Sequence, residues 1–118
     1  MNALRFVLLA IAAFIIVDGD TIKAPFGVTY RLLGFDTPET RFARCDAERE
    51  LGLAAKDRLE ELLTIGEVRV LESGKLDRYG RTLASVTVNG RDVGEILIGE
   101  GLARPYQGGR RGSWCGHG

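Results

Sequence analysis

Two acidic residues near the start of the chain have the type and spacing of cation ligands. Asp18 and Asp20 flank Gly19 directly after an apolar run. If this segment is extended, both side chains leave the same face, and the glycine lets a ligand approach the backbone. Two neighbouring carboxylates repel each other, so one of them should stay protonated unless a cation lies between them. A simple turn is the alternative interpretation, because Asp, Gly and Thr are ordinary turn residues.

A second polar segment begins at Arg31 and adds Asp36 and Thr37. Pro38 favours an extended Thr37, which leaves the Thr37 carbonyl free to point at a ligand. Strand alternation places Arg31 and Asp36 on opposite faces, so the strand must bend near Gly34 if both residues serve one pocket. Carboxylates and a carbonyl, with no His or Cys pair nearby, form an oxygen-only environment. Ca²⁺ and Mg²⁺ prefer such donors, and Zn²⁺ does not.

Several short elements must position these residues. Apolar residues at intervals of three and four predict an amphipathic helix over residues 45–63. Asp92 and Glu95 have the spacing of a capping box, which predicts a second helix over 93–100. Alternating segments and turn residues predict a hairpin over 21–23 and 28–35, strands over 67–71 and 82–88, a loop over 72–80 and a turn at residues 89 and 90.

Three segments in this order resemble the staphylococcal-nuclease-like (thermonuclease) family. They are VDGDT at residues 17–21, RLLGFDTPET at 31–40 and DRYGR at 77–81, and the resemblance runs from about residue 16 to residue 106. It implies an α+β fold, in which a five-stranded OB-type β-barrel carries two flanking helices. The C-terminal helix common in the family is not expected, because residues 108–118 are too rich in glycine to form one.

The resemblance also implies Ca²⁺ as the cofactor. In that case the direct ligands are Asp20, Asp36 and the Thr37 carbonyl, while Asp18 and Glu39 reach the ion through water.

A calcium-dependent nuclease acting on DNA or RNA is the activity implied by the resemblance. Glu39 is then the general base that activates water for in-line attack, and the products carry a 3′-phosphate. Arg31 and Arg81 stabilise the phosphoryl transition state, because guanidinium groups match phosphate oxygens bidentately. The remaining substrate-binding candidates are Arg78, Tyr79 and Tyr106.

A binding module without catalysis is the alternative function, because barrels of this type also hold nucleic acid or peptides. Such a module is expected to lack at least one residue of the catalytic set, and all of that set is present. A third possible function is a structural cation site of the EF-hand kind. The sequence disfavours it, because the EF-hand loop pattern is absent. We expect a monomer with a nucleic-acid substrate and no stable membrane association.

Composition places the chain among small single domains with one core. It has 118 residues, 45% of them hydrophobic and 27% charged, and its 16 basic and 16 acidic residues cancel. The absence of net charge argues against non-specific coating of nucleic acid and leaves phosphate recognition to a local site. From residue 101 onward Arg104, Arg110 and Arg111 are accompanied by no acidic residue. They form either a modest basic patch or a solvated tail.

The beginning of the chain has the pattern of an export signal. Arg5 precedes a short apolar run, and Ala10 and Ala12 have the spacing that signal peptidase prefers. The sequence therefore predicts a signal peptide over 1–12, a domain over 13–107, a Gly/Arg-rich tail over 108–118, and a periplasmic or secreted location. The alternative is that the same apolar residues form the first strand of the domain.

Cys45 and Cys115 are the two cysteines of the chain. In an exported protein an even count favours a disulfide, which would attach the tail to the domain. In a reducing compartment both would be free thiols. Trp114 next to Cys115 either stacks on a base or packs the tail on the barrel.

Overall fold

The computed structural model describes residues 6–8, 14–25 and 27–115. Within these ranges short strands and two helices alternate along the chain. In chain order the elements are β1 Phe6–Leu8, β2 Ile15–Asp18, β3 Thr21–Lys23, β4 Thr29–Leu32, β5 Phe35–Asp36, α1 Asp46–Leu62, β6 Val68–Leu76, β7 Thr82–Val88, β8 Arg91–Asp92, α2 Val93–Gly99 and β9 Arg104–Pro105.

One mixed sheet runs in the order β1-β6-β7-β4-β3-β2, and β8 pairs with β7. The β4–β7 pairing is parallel, whereas β6–β7, β3–β4 and β2–β3 are antiparallel. Strands β5 and β9 form a separate two-stranded sheet. The predicted α+β class with two flanking helices is confirmed. Over the described ranges the main sheet has seven strands and is not closed, since β1 and β2 lie at its edges.

The core fills the space between this sheet and the two helices. Residues 68–71 of β6 alternate buried and exposed positions, and residues 84–88 of β7 alternate buried and half-buried ones, as expected for strands with one face against a core. Helix α1 adds Leu59 and Leu62, and α2 adds Val93 and Leu97, all almost completely buried. Phe35 of β5 is also fully buried and lies under α2. The loops that carry the polar segments therefore connect elements that are packed into this core.

The first acidic segment is not extended as predicted. Strands β2 and β3 are antiparallel, with Ile16 opposite Ile22, and residues 19 and 20 form the turn between them. The turn interpretation is therefore correct for the backbone. Gly19 is buried, and a Cβ there would lie 2.7 Å from the Thr37 Cγ2 atom, so the glycine admits the neighbouring loop rather than a ligand.

The bend predicted near Gly34 is confirmed. Gly34 has a φ of +93°, a conformation that favours glycine, and it separates β4 from β5. The predicted loop over 72–80 is wrong at its start, because β6 continues to Leu76 with a register shift after Glu72. Gly74, with a φ of +86°, lies within that shift, as is typical of a β-bulge.

The predicted signal peptide over 1–12 lies mostly outside the described residues. Of that stretch, Phe6–Leu8 form β1, which pairs antiparallel with β6 through Phe6 and Leu71. Neither α1 nor α2 combines the length and the apolar character needed to cross a bilayer.

Because Gly52 has no side chain, α1 packs directly against the backbone of residues 38 and 39. A Cβ at this position would lie 2.7 Å from the Glu39 carbonyl oxygen and 2.8 Å from that of Pro38. Because backbone atoms cannot rotate away, Gly52→Ala should destabilise the fold by roughly 1–3 kcal/mol. Urea unfolding measures the change. Gly99→Ala is the matched control, since a Cβ there meets nothing within 4 Å. Equal stability of the two variants would contradict this packing.

Candidate active site

An open cleft of about 1380 Å³ lies where the β2–β3 turn, the β4–β5 bend, the 77–81 loop and the tail meet. Pockets for small ligands usually measure about 300–1,000 Å³, so this cleft admits a larger molecule. The structure brings most of the predicted site residues to its walls: Asp18, Asp20, Arg31, Glu39, Arg78, Tyr79, Arg81 and Tyr106. Asp36 and Thr37 are buried beside it.

Asp20 links the β2–β3 turn to the loop after β5. Its Oδ2 atom accepts hydrogen bonds from the Thr37 amide at 3.0 Å and the Thr37 hydroxyl at 3.2 Å. Its Oδ1 atom accepts from the Thr21 hydroxyl at 3.0 Å. Because Asp20 is 4% exposed, these bonds replace the solvation that the carboxylate loses on burial. Two predicted ligand residues, Asp20 and Thr37, are thereby held next to each other.

Arg31 is fixed by the backbone of the bend. Its Nη1 atom donates to the carbonyl oxygens of Leu32 at 2.7 Å and Phe35 at 3.1 Å. Its Nη2 atom lies 3.6 Å from Asp20 Oδ2 and 4.0 Å from Asp36 Oδ1. A guanidinium held in this way stays charged and keeps its direction. The bend at Gly34 therefore brings Arg31 and Asp36 to one site, as predicted.

Asp36 accepts hydrogen bonds from three side chains of the C-terminal segment. Arg111 Nη1 donates to Oδ1 at 2.7 Å, while Arg104 Nη2 and Trp114 Nε1 donate to Oδ2 at 3.2 and 3.3 Å. The carboxylate is 1% exposed. Sequence reasoning missed Arg104 and Arg111 as site residues, because nothing local in their segment indicates that it folds back onto Asp36.

Glu39 lines the cleft, and its carboxylate is paired with Arg111, which also contacts Asp36. Its Oε2 atom accepts from Arg111 Nη2 at 2.8 Å. Its backbone amide donates to Glu48 Oε2 at 3.2 Å, and the Arg44 amide donates to Glu48 Oε1 at 2.9 Å. Buried Glu48 of α1 thus fixes the backbone of the 39–44 segment. Sequence reasoning assigned no role in the site to Glu48; its position three residues after Cys45, near the start of the predicted helix, was the available signal.

Asp18 lies in the cleft close to two other acidic side chains, Asp20 and Glu39. The pKa of the Asp18 carboxyl is raised to about 7, first by burial and then by its interactions with Asp20 and, more weakly, by the charge of Glu39. This agrees with the expectation that one carboxylate of the pair favours its protonated form. A divalent cation beside Asp18 would remove this repulsion.

The predicted cation ligands suit a hard divalent cation, because they supply carboxylate and backbone oxygens and no sulfur or imidazole. In this structure Arg111 bridges two of them, Asp36 and Glu39.

A search of the described residues for three or more His, Cys, Asp or Glu ligand atoms within 4.8 Å of one another gives one group, Cys45, Glu48 and Cys115. It is no metal site, because both sulfurs belong to a disulfide.

The 77–81 loop presents Arg81 to the cleft. Arg81 Nε pairs with Asp77 Oδ2 at 2.7 Å, and Asp77 Oδ1 accepts from the amides of Tyr79 and Arg81, each at 2.9 Å. Tyr79 is 69% exposed, and its ring contacts the guanidinium groups of Arg78 and Arg81. Pairing through Nε leaves the outer nitrogens of Arg81 available for a ligand.

The predicted disulfide between Cys45 and Cys115 is present, with a Cα–Cα distance of 6.0 Å. The guanidinium of Arg104 lies 3.9 Å from the centre of the Trp114 ring, so Trp114 packs the tail on the domain as the packing interpretation predicted. The solvated-tail interpretation holds only for Arg110, which is exposed. Tyr106 also lies close to the site, with its ring centre 5.8 Å from the Arg31 guanidinium carbon.

Comparison with known proteins assigns the fold to one family. The family model described as "Staphylococcal nuclease homologue" matches residues 29–113. The chain is 42% identical to SPbeta prophage-derived endonuclease YokF and 41% identical to endonuclease YncB, both of Bacillus subtilis (strain 168). It is 39% identical to a thermonuclease of Staphylococcus hyicus.

Each of these matches covers 75% of the chain. The matched region spans 31%, 44% and 54%, respectively, of the length of these relatives. The family match includes the β4–β5 bend, the 77–81 loop and Arg111. With the fold, the cleft and the family model in agreement, the chain belongs to the staphylococcal nuclease homologue family.

Proposed function

We propose that the chain is a monomeric, Ca²⁺-dependent nuclease that hydrolyses phosphodiester bonds of DNA or RNA. The observation that carries this proposal is the convergence of Glu39, Arg31 and Arg81 on one open cleft beside buried carboxylates. The relatives, which are named endonucleases and a thermonuclease, support the same class of reaction.

The cation would be held by oxygen atoms of Asp20, Asp36 and the Thr37 carbonyl, with Asp18 and Glu39 reaching it through water. When bound, a divalent cation polarises a phosphoryl oxygen and stabilises the charge that develops on it. The three direct ligands belong to segments that Asp20 already joins through its bonds to Thr37.

Glu39 accepts the proton of the attacking water in this proposal. The water oxygen bonds to phosphorus as the bond to the leaving 5′-oxygen breaks, which leaves a 3′-phosphate. Glu39 suits the role because its side chain is 32% exposed at the cleft while Glu48 holds its backbone. Arg31 and Arg81 bind the phosphate oxygens, since guanidinium groups pair with them bidentately and do not deprotonate.

The Cys45–Cys115 disulfide supports export of the protein, because disulfides persist in oxidising compartments such as the periplasm and the extracellular medium. We therefore propose a periplasmic or secreted location for the nuclease.

A nucleic-acid-binding module is the second candidate function. The pairing of Arg111 with both Asp36 and Glu39 favours it, because a base and a cation ligand occupied in this way do not act on a substrate. Binding without cleavage distinguishes this candidate from the nuclease.

Arg81→Lys tests the nuclease proposal against the module. Lysine keeps the charge but loses the bidentate fork, so we expect cleavage of end-labelled single-stranded DNA with saturating Ca²⁺ to slow on the order of tenfold. Arg49→Lys is the matched control, because Arg49 is exposed on α1 and pairs with Asp46; its rate should equal that of the wild type. DNA retained in a gel shift but left uncut by the wild type would contradict the nuclease proposal.

A further inference from the structure

We infer that Arg111 is a tethered competitor of the divalent cation at Asp36 and Glu39, and that the Cys45–Cys115 disulfide sets the strength of this competition. The inference rests on the proposed function, because it concerns the cation site of that proposal. It assigns a role to a segment that the proposed reaction does not use.

The competition follows from the contacts of one guanidinium group. Arg111 Nη1 lies 2.7 Å from Asp36 Oδ1, and Nη2 lies 2.8 Å from Glu39 Oε2. Asp36 would ligate the cation directly and Glu39 through water, so the arginine pairs with both kinds of ligand at once. A divalent cation at these oxygens would lie within a few ångströms of the guanidinium, where like charges repel strongly. Binding of the cation therefore requires Arg111 to leave.

The tail strap, residues 108–115, holds Arg111 in this place. Before Arg111, the Tyr106 hydroxyl donates to the Gly109 carbonyl at 2.6 Å. After it, Arg104 donates to the carbonyl oxygens of Gly112 and of Ser113, the latter at 3.2 Å. The disulfide then fixes the end of the strap to the residue that caps α1. Anchors on both sides give the guanidinium a high effective concentration at the site.

The neighbouring arginine shows that, within the strap, the pairing with Asp36 and Glu39 is specific to one residue. Arg110 has the same charge and belongs to the same strap, but it is exposed and forms no hydrogen bond or ion pair with the rest of the described chain. A strap attracted only by the general negative charge of the cleft would not distinguish the two. In the structure the Arg111 side chain contacts the site, whereas Arg110 is exposed.

The competition lowers the apparent affinity for the cation by the fraction of molecules in which Arg111 has left the site. Both partners of the Arg111–Glu39 pair are partly exposed, at 40% and 32%, so we expect a moderate effect. A site that is open in about one molecule in ten binds its cation roughly tenfold more weakly than a permanently open one.

Titration calorimetry with CaCl₂ tests the inference on the full-length wild type, Arg111→Met and Arg110→Met. Methionine keeps much of the length of the side chain and removes the charge. We expect Arg111→Met to bind Ca²⁺ about tenfold more tightly than the wild type. Arg110→Met removes the same charge one residue away and should change the affinity less than twofold, which separates local competition from the general field.

The role of the disulfide is tested with Cys115→Ser, a variant that keeps Cys45 as the cap of α1. Releasing the strap should tighten Ca²⁺ binding of the wild type toward that of Arg111→Met. The same change in the Arg111→Met background should have no further effect on affinity, because the competitor is already absent. Any loss of stability in Cys115→Ser leaves the arginine comparison intact.

The outcomes separate this inference from the proposed function. Equal Ca²⁺ affinity of wild type and Arg111→Met, or tighter binding by the wild type, overturns the competition and leaves the proposed cation site standing. Equal tightening by Arg110→Met also overturns it, since the effect would then come from general charge. If none of the variants binds Ca²⁺, the cation site fails and this inference fails with it.

Discussion

Replacing Glu39 with Gln is expected to lower kcat for cleavage of single-stranded DNA by roughly 10²–10⁴-fold, the usual contribution of a general base. Glutamine has the same shape but cannot take the proton of the attacking water. Because the Glu39 backbone is held by Glu48 rather than by its own carboxylate, the loop should keep its position. The affinity for uncut DNA should therefore change only a few-fold.

Two measurements on the same variant check this expectation. Single-turnover cleavage at saturating Ca²⁺ gives the rate, and fluorescence anisotropy with labelled DNA and EGTA gives the affinity. Glu50→Gln serves as the control, because Glu50 is an exposed residue of α1. Equal losses of rate and affinity in Glu39→Gln would contradict the role of Glu39 as base and indicate a role in binding.

Of the changes considered, removal of the Cys45–Cys115 disulfide should lower the free energy of unfolding most. Cys45 and Cys115 are 70 residues apart in sequence. In the chain-entropy model, closing a loop of that length stabilises the folded state by about 4 kcal/mol. Cys115→Ser should lower the free energy of unfolding by a comparable amount.

Urea unfolding of the wild type and Cys115→Ser, each with and without dithiothreitol, measures this loss. The reductant should destabilise the wild type to the level of the variant and leave the variant unchanged. A difference of less than about 1 kcal/mol would contradict the model, and would mean that the contacts of Trp114 and Arg104 already restrain the tail.

Elements with strong local signals could be predicted from the sequence. The helix predicted over 45–63 is α1, Asp46–Leu62, with Cys45 as its cap, and the strand predicted over 82–88 is β7. The turn at Asn89 and Gly90 has φ values of 51° and 82°, as expected for a two-residue hairpin turn. In each case neighbouring residues supply the period, the cap or the turn chemistry.

Apart from the Cys45–Cys115 disulfide, which follows from the presence of two cysteines in the sequence, features that depend on distant contacts could not be predicted. The pairing of the two-residue strands β5 and β9 joins residues about 70 positions apart, and no periodicity indicates such short strands. The same holds for Arg111, which lies 75 residues from Asp36 in sequence and contacts it only because the tail folds back. The site was therefore predictable where its residues lie in compact motifs, and the strap that occupies it was not.

The most direct test of the proposed activity is cleavage of single-stranded DNA by the wild-type protein, first in EGTA and then after addition of excess Ca²⁺. We expect intact DNA in EGTA, cleavage into fragments with 3′-phosphate ends once Ca²⁺ is added, and a return to no cleavage when EGTA is restored. DNA that stays intact at saturating Ca²⁺, or that is cut equally well in EGTA, would contradict a Ca²⁺-dependent nuclease.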